Sequence, residues 1–178
     1  MNIITDKFDE WRSGGADKQF GQMVDQLTGF DKFDMNEFLL TLEDATKMAG
    51  IKGLKTKMPW ASNDPMAQEL MRFIKIVEMM SPEERAQPNK IKPPQKKRIA
   101  VAAEAEISEV NTVITRWGHS YMMWETLKEL KDSGKAMPKD IDEAQSILMS
   151  SPKGRARAQN SQIKAMKKRY KKTGKMNA

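Results

Sequence analysis

Five basic side chains, Lys90, Lys92, Lys96, Lys97 and Arg98, fall within nine residues that contain no acid. Ammonium and guanidinium groups at that density hold phosphate oxygens, as point charges in lysine and as a planar fork in arginine. A second basic set closes the chain: residues 151–178 carry 10 basic side chains and no acidic one. Arg155, Arg157, Lys164, Lys167, Lys168, Arg169, Lys171 and Lys172 belong to it. Both sets offer binding to a polyanion, not bond making. The residues that make bonds are scarce. Cysteine is absent and His119 is the single histidine, which removes disulfides, zinc ribbons and thiol catalysis. The pair Glu83-Glu84 is accounted for by a helix start. Asp31, Asp34, Asn36 and Glu37 supply oxygen ligands but lack the central glycine and alternation of a calcium loop. No nucleophile stands beside a base. The expectation is therefore no enzyme, no metal and no cofactor.

Charge is unevenly spread along the 178 residues. Residues 1–50 carry 10 acidic and 5 basic side chains, whereas residues 88–178 carry 9 and 20. The asymmetry points to a polyanion for the basic half and leaves the acidic start free to compete with it or to dock another protein. Methionine is abundant, 15 residues in all. It serves either as core filler or as a pliable lining for an apolar peptide. Trp60, Trp117, Tyr121 and Trp124 could stack on bases. The last three share one helical face, which favours packing, and Trp60 sits in a loop.

The elements that must position these groups are helical. Phe38, Leu39, Leu42, Ala45 and Met48 recur at helical spacing. A glycine-broken loop follows, carrying Lys52, Lys55, Lys57 and Met58-Pro59-Trp60. Asn63-Asp64-Pro65 opens a helix with the stripe Met66, Leu70, Phe73, Ile74, Val77 and Met80. Ser81-Pro82-Glu83-Glu84 forms a capping box. Pro88, Pro93 and Pro94 predict an extended stretch over 88–95. A short helix over Lys96–Ala105 and a break lead to a long helix bearing Ile107, Val110, Val113, Ile114, Trp117, Tyr121, Trp124, Leu127 and Leu130. Gly134 stops it, and a further helix begins at Pro138. Residues 151–178 hold too little apolar surface to fold without a partner. No strand alternation, no repeat and no run of about 20 apolar residues occurs. The fold class is all-α, with segments 1–35, 36–150 and 151–178.

At this point the residues resemble a known family. Ser81-Pro82-Glu83-Glu84-Arg85, Pro88, Lys96-Lys97-Arg98-Ile99-Ala100 and Val110-Asn111 resemble the RNA-binding helix-turn-helix of the M domain of the signal recognition particle GTPase. Phe38-Leu39-Leu40-Thr41-Leu42-Glu43-Asp44, and Met48-Ala49-Gly50 through Leu54 to Met58-Pro59, are similar to its opening helix and its finger loop. The resemblance covers about residues 36–125. It implies a helical bundle, RNA contact at the helix-turn-helix and a groove for apolar signal peptides. Ala102-Ala103-Glu104 replaces the family's Gly-Ser-Gly, putting side chains and an anion where small residues let RNA approach. Gln95 replaces an arginine, the Lys/Arg tail replaces a Met-rich stretch, and no G-x-x-x-x-G-K-[ST] loop is present.

The expectation is a stand-alone RNA-binding protein of broad, messenger-like specificity, held by the helix-turn-helix and the tail. Two alternatives remain open. One is an apolar-peptide groove lined by Leu54, Met58, Met66, Leu70 and Met80; the other is a structural part of a ribonucleoprotein particle. DNA shares the phosphate chemistry. No apolar signal segment opens the sequence, so a cytoplasmic site is expected, with an organelle or a virus-infected cell as variants and no membrane insertion.

Overall fold

A computed structural model describes residues 16–48 and 65–152, then 154–156, 159–160 and 163. In chain order the helices are α1 (Ala16–Gly29), α2 (Met35–Met48), α3 (Pro65–Glu78), α4 (Pro82–Ala86), a 3-10 turn (Pro88–Lys90), α5 (Pro93–Ala103), α6 (Ile107–Asp132) and α7 (Ile141–Ser150). The described residues contain no strand, so the protein is all-α. They divide into two compact units. One is residues 29–124; the other joins the described residues up to Thr28 with those from Glu125 onward.

In the 29–124 unit, local chemistry fixes each helix start. Asp34 opens α2. Its carboxylate accepts from the Asn36 N–H (2.7 Å) while its own N–H donates to Glu37 Oε2 (2.8 Å). The acid-rich stretch around Asp31–Glu37 thus contains a helix cap, with Lys32 Nζ 2.9 Å from Asp34 as counter-ion. Burial works to raise the Asp34 pKa, but the Lys32 contact and the Asn36 N–H outweigh it and hold it below the ordinary value. The core consists of Phe33, Met35, Phe38 and Leu42 from the α2 region, Ala67, Phe73, Ile76, Val77 and Met80 around α3, and Ile91, Ile99, Ala100, Ala103, Val110 and Val113 from the helix-turn-helix. The α3 stripe is rotated from the expected one. Ala67 and Ile76 are buried, while Leu70 and Ile74 are only partly covered. Ala67 is fully buried although its small side chain gives it little weight in an apolar pattern.

The prolines correct a second expectation. Residues 88–95 are not uniformly extended: Pro88 opens a 3-10 turn and Pro93 begins α5. The extended conformation falls on Ile91 (φ −65°, ψ 117°) and on Lys92 (φ −89°, ψ 164°), the latter being the residue before proline, as its steric clash requires. Proline itself fits the first helical positions, where no N–H is needed.

In the other unit, Phe20, Val24, Leu27, Leu127 and Ala144 are buried. Lys131 Nζ donates to Thr28 Oγ1 (3.1 Å). Gly134, at φ 64°, ends α6: its N–H reaches Lys131 O (3.1 Å) and the Lys135 N–H reaches Leu130 O (3.0 Å), the paired bonds of a Schellman stop. Asp140 caps α7, accepting from the Glu143 N–H at 2.8 Å. Ser151 then serves two helices. Its N–H closes α7 on Ile147 O (3.0 Å), and its Oγ accepts from the Gly154 N–H (3.0 Å). A Cβ on Gly154 would stand 2.0 Å from Leu148 O, so only glycine allows this approach. The described positions beyond Pro152 are helical, and the Ser151 cap and the Gly154 contact tie the first turn of the tail to α7.

Candidate nucleic-acid interface

The basic stretch is mounted on a rigid support. At α4 the Ser81 N–H donates to Glu84 Oε2 (2.8 Å) and the Glu84 N–H to Ser81 Oγ (3.3 Å), completing the capping box read from the sequence. Glu84 is 5% exposed, and its second role is to receive the Arg98 guanidinium from α5. Burial works to raise the Glu84 pKa, but the Ser81 N–H and Arg98 outweigh it and hold the carboxyl below its ordinary value. Arg98 also donates to Met79 O (3.4 Å). It therefore ties α5 to the α3–α4 corner as well as carrying charge.

The N-terminus of α5 is a poor anion cradle by backbone alone. Pro93 and Pro94 have no N–H, the Lys96 N–H bonds Lys92 O (3.0 Å), and the Lys92 N–H is held by Gln95 Oε1 (2.8 Å). Phosphate binding there falls to side chains. Lys96 Nζ donates to Asn111 Oδ1 on α6 (2.7 Å), bridging the two arms of the helix-turn-helix. Lys90, Lys92 and Lys97 are exposed and make no side-chain hydrogen bond or ion pair with a described residue. They differ in this from every other described cation of the 29–124 unit. Lys32, Lys47, Arg72, Lys75, Arg98 and Arg116 all face carboxylates, Arg85 holds Glu78 O and Lys96 holds Asn111.

The turn between α5 and α6 has the opposite character. Ala103 is buried, and Glu104 takes the left-handed conformation (φ 53°, ψ 43°), the only non-glycine to do so among the described residues. The Ala105 N–H bonds Ala100 O (2.9 Å) and the Glu104 N–H bonds Val101 O (3.2 Å), a Schellman stop built on glutamate. Lys75 of α3 reaches Glu104 at 2.6 Å, and this bond holds the Glu104 pKa below its usual value. Glu106 starts α6, its N–H donating to Glu109 Oε2 (2.8 Å), and Arg72 pairs with Glu109 at 2.6 Å. Arg116 pairs with Glu69 (3.0 Å) and lies over the Phe73 ring, 5.0 Å from its centroid. Sequence reading missed Arg72, Lys75 and Arg116. Their partners lie 29 to 47 residues away in the chain, and no local pattern carries that information.

Residues 15–144 match the signal peptide binding domain family. The chain belongs to that family. It resembles the signal recognition particle protein of Escherichia coli strain K12, at 29% identity over 125 residues, 66% of this chain and 27% of that protein. The signal recognition particle protein of Streptococcus mutans is 25% identical over 128 residues, covering 63% of this chain and 25% of the relative. That of Buchnera aphidicola is 23% identical over 119 residues, covering 63% and 26%. The chain thus spans about a quarter of the length of the curated relatives it matches. The matching family is a signal peptide binding domain, and these 178 residues contain no phosphate loop of the G-x-x-x-x-G-K-[ST] type.

Within this signal peptide binding domain, the residues expected to line a groove separate. Met80 is 3% exposed and belongs to the core, and Leu70 is partly covered on α3. Leu54, Met58 and the side chain of Met66 lie outside the described residues, as does Trp60. The expected helical aromatic face exists as a row: Trp117–Tyr121 centroids are 5.4 Å apart, Tyr121–Trp124 5.5 Å and Trp124–Phe33 6.1 Å. Trp124 Nε1 donates to Phe30 O (3.2 Å), which fixes that end by packing. Of the tail cations Arg155 is described and exposed. Arg157, Lys164, Lys167, Lys168, Arg169, Lys171 and Lys172 lie outside the described residues. Among those described, no helix is long and apolar enough to cross a membrane.

Proposed function

We propose that this chain is an RNA-binding module that holds phosphate groups through the α4–α5 side of its helix-turn-helix and through its basic tail. Its specificity is broad, suited to messenger or other unstructured RNA. The carrying observation is the contrast in pairing: Lys90, Lys92 and Lys97 alone among the described cations of their unit have no side-chain partner among the described residues. Lys96 and Arg98 add charge while bracing α5. Readout by side-chain charge, with Pro93 and Pro94 offering no N–H at the helix start, favours affinity over sequence discrimination.

The test is a filter-binding titration with an unstructured RNA across a range of salt. Changing Lys90, Lys92 and Lys97 to Glu together is expected to weaken binding by at least ten-fold, and the log–log salt slope to fall by about 2. Circular dichroism should be unchanged, since none of the three ammonium groups braces the fold. Unaltered affinity and slope refute the interface. Competition with duplex DNA separates a taste for RNA from a taste for phosphate.

A second reading rests on the family itself, whose domain is named for signal peptides. Here an apolar peptide contacts Leu70 together with Leu54, Met58 and Met66. Such binding is expected to survive 0.5 M salt, where RNA binding collapses. Peptide binding that persists in salt alongside a salt-insensitive RNA signal overturns the first reading in favour of the second.

A further inference from the structure

Lys90 and Lys92 precede α5 and Lys97 lies in its second turn, while the acidic turn closes the other end, about 10 Å beyond Lys97 and about 18 Å beyond Lys92 along the axis. Around that turn stand Glu104, Glu106 and Glu109, with Lys75 and Arg72 as their cationic partners, leaving one anion in excess. The Glu104 side chain is 82% exposed at the apex of a left-handed residue, and Lys75 fixes its direction. Glycine is the ordinary occupant of this conformation, so glutamate is kept here against the backbone preference. Nothing in the packing calls for a carboxylate, because the buried residue of the turn is Ala103.

We propose that Glu104 is a specificity-determining residue that turns rigid double-stranded RNA away from the helix-turn-helix and leaves single strands bound at Lys90, Lys92 and Lys97. This deepens the RNA-binding reading and rests on it. A duplex laid against α5 spans both ends of the helix and drives phosphates against the Glu104 carboxylate. A flexible strand engages the three lysines and bends aside. The Lys75 bond holds the carboxylate at the apex and withdraws a cation that could otherwise take a phosphate, and the charge a duplex meets is the one anion left in excess among Glu104, Glu106 and Glu109.

The experiment compares one unstructured 20-nucleotide RNA with a perfect hairpin of the same length, at low salt. The full-length proteins used are wild type, Glu104→Gln and the Lys90/Lys92/Lys97→Glu triple variant. Glu104→Gln keeps the turn and the side-chain length while removing the charge. The wild type is expected to prefer the single strand. Glu104→Gln should tighten hairpin binding about five-fold, the scale of one like-charge contact in water, and change single-strand binding less than two-fold. An unchanged ratio of the two affinities overturns the proposal, as does a hairpin already bound as tightly as the single strand by the wild type. Failure of the underlying reading is separately visible: the triple variant then binds both RNAs as the wild type does. A purely structural role for Glu104 moves the melting temperature and leaves the ratio alone, which also overturns it.

Discussion

The stretch Lys90–Arg98 and the face of α3 around Arg72–Lys75 both supply cations to one helix-turn-helix, yet they do different work. The α3 cations end on carboxylates: Arg72 on Glu109 and Lys75 on Glu104, each at 2.6 Å. In the Lys90–Arg98 stretch, Arg98 and Lys96 are engaged while Lys90, Lys92 and Lys97 point to solvent without partners among the described residues. Charge count alone would separate the regions only by number, five cations against two. What separates them is pairing, which converts a cation from a phosphate ligand into a brace. A charge already satisfied at hydrogen-bond distance must be released before it can hold an anion, and that release offsets what the new contact gains.

The comparison breaks most visibly at Glu84, whose carboxylate turns Arg98 into a brace. Glu84→Ala removes a buried acceptor of the Ser81 N–H and leaves the guanidinium unpaired. Arg98 is half exposed and recovers some hydration, so the expected loss is about 2 kcal/mol and not the larger cost of a fully buried pair. The melting temperature should fall by about 4–8 °C. RNA affinity measured well below that temperature should hold or rise, since Arg98 then joins the unpaired set. A fall in affinity with no loss of stability would show that Arg98 is a phosphate ligand first.

Acid gives a graded form of the same break. The Glu84, Asp34, Glu104 and Glu109 pKa values are all depressed in the folded protein by their bonds to N–H groups and cations, against the opposing effect of burial at Glu84 and Asp34. Each then binds a proton more readily unfolded than folded. Their contributions are whole above the unfolded carboxylate range, about pH 4–4.5, and are lost as pH falls through the lower folded values. Melting temperature should be flat from pH 7 to 5 and drop below 4. In Glu84→Gln the drop should be shallower. Identical acid profiles for the two proteins would remove Glu84 from this role.

How much of this was legible in the chain follows from the range of each interaction. The Ser81 box, the Gly134 stop and the helix-turn-helix are encoded within a few residues and are readable as such. The opening of α5 is just as local, but the preference of the residue before proline extends only to Lys92, and Pro93 itself begins the helix. The rotated stripe of α3 shows a limit of hydropathy, since Ala67 is fully buried although its small side chain carries little apolar weight. The ion pairs around the turn lie beyond any local pattern. From the sequence Glu104 is an anion in place of a family glycine; only the fold reveals Lys75 beside it. That pairing sorts the basic residues, and no local pattern in the chain carries it.

The smallest effect tests whether Glu104 is kept for its charge or for its turn. The two Schellman stops are alike in their bonds, and Gly134 (φ 64°) and Glu104 (φ 53°) occupy matching backbone positions. At Gly134 no atom lies near a built Cβ, so Gly134→Ala tests conformation alone and should cost about 1 kcal/mol. Glu104→Gly runs the other way. It relieves the left-handed residue while losing an exposed ion pair, which contributes little in water, and the added freedom of glycine in the unfolded chain offsets part of the gain. The net expectation is a melting temperature raised by about 2 °C. Lys75 is released in the same step and becomes a fourth unpaired cation beside the turn. A protein that is more stable and also binds duplex RNA more tightly shows that glutamate is retained at some cost to the fold, for what it repels. A destabilised Glu104→Gly protein would instead make the Lys75 pair a brace like Arg98–Glu84, and the line between the two groups of cations would then run only through Lys90, Lys92 and Lys97.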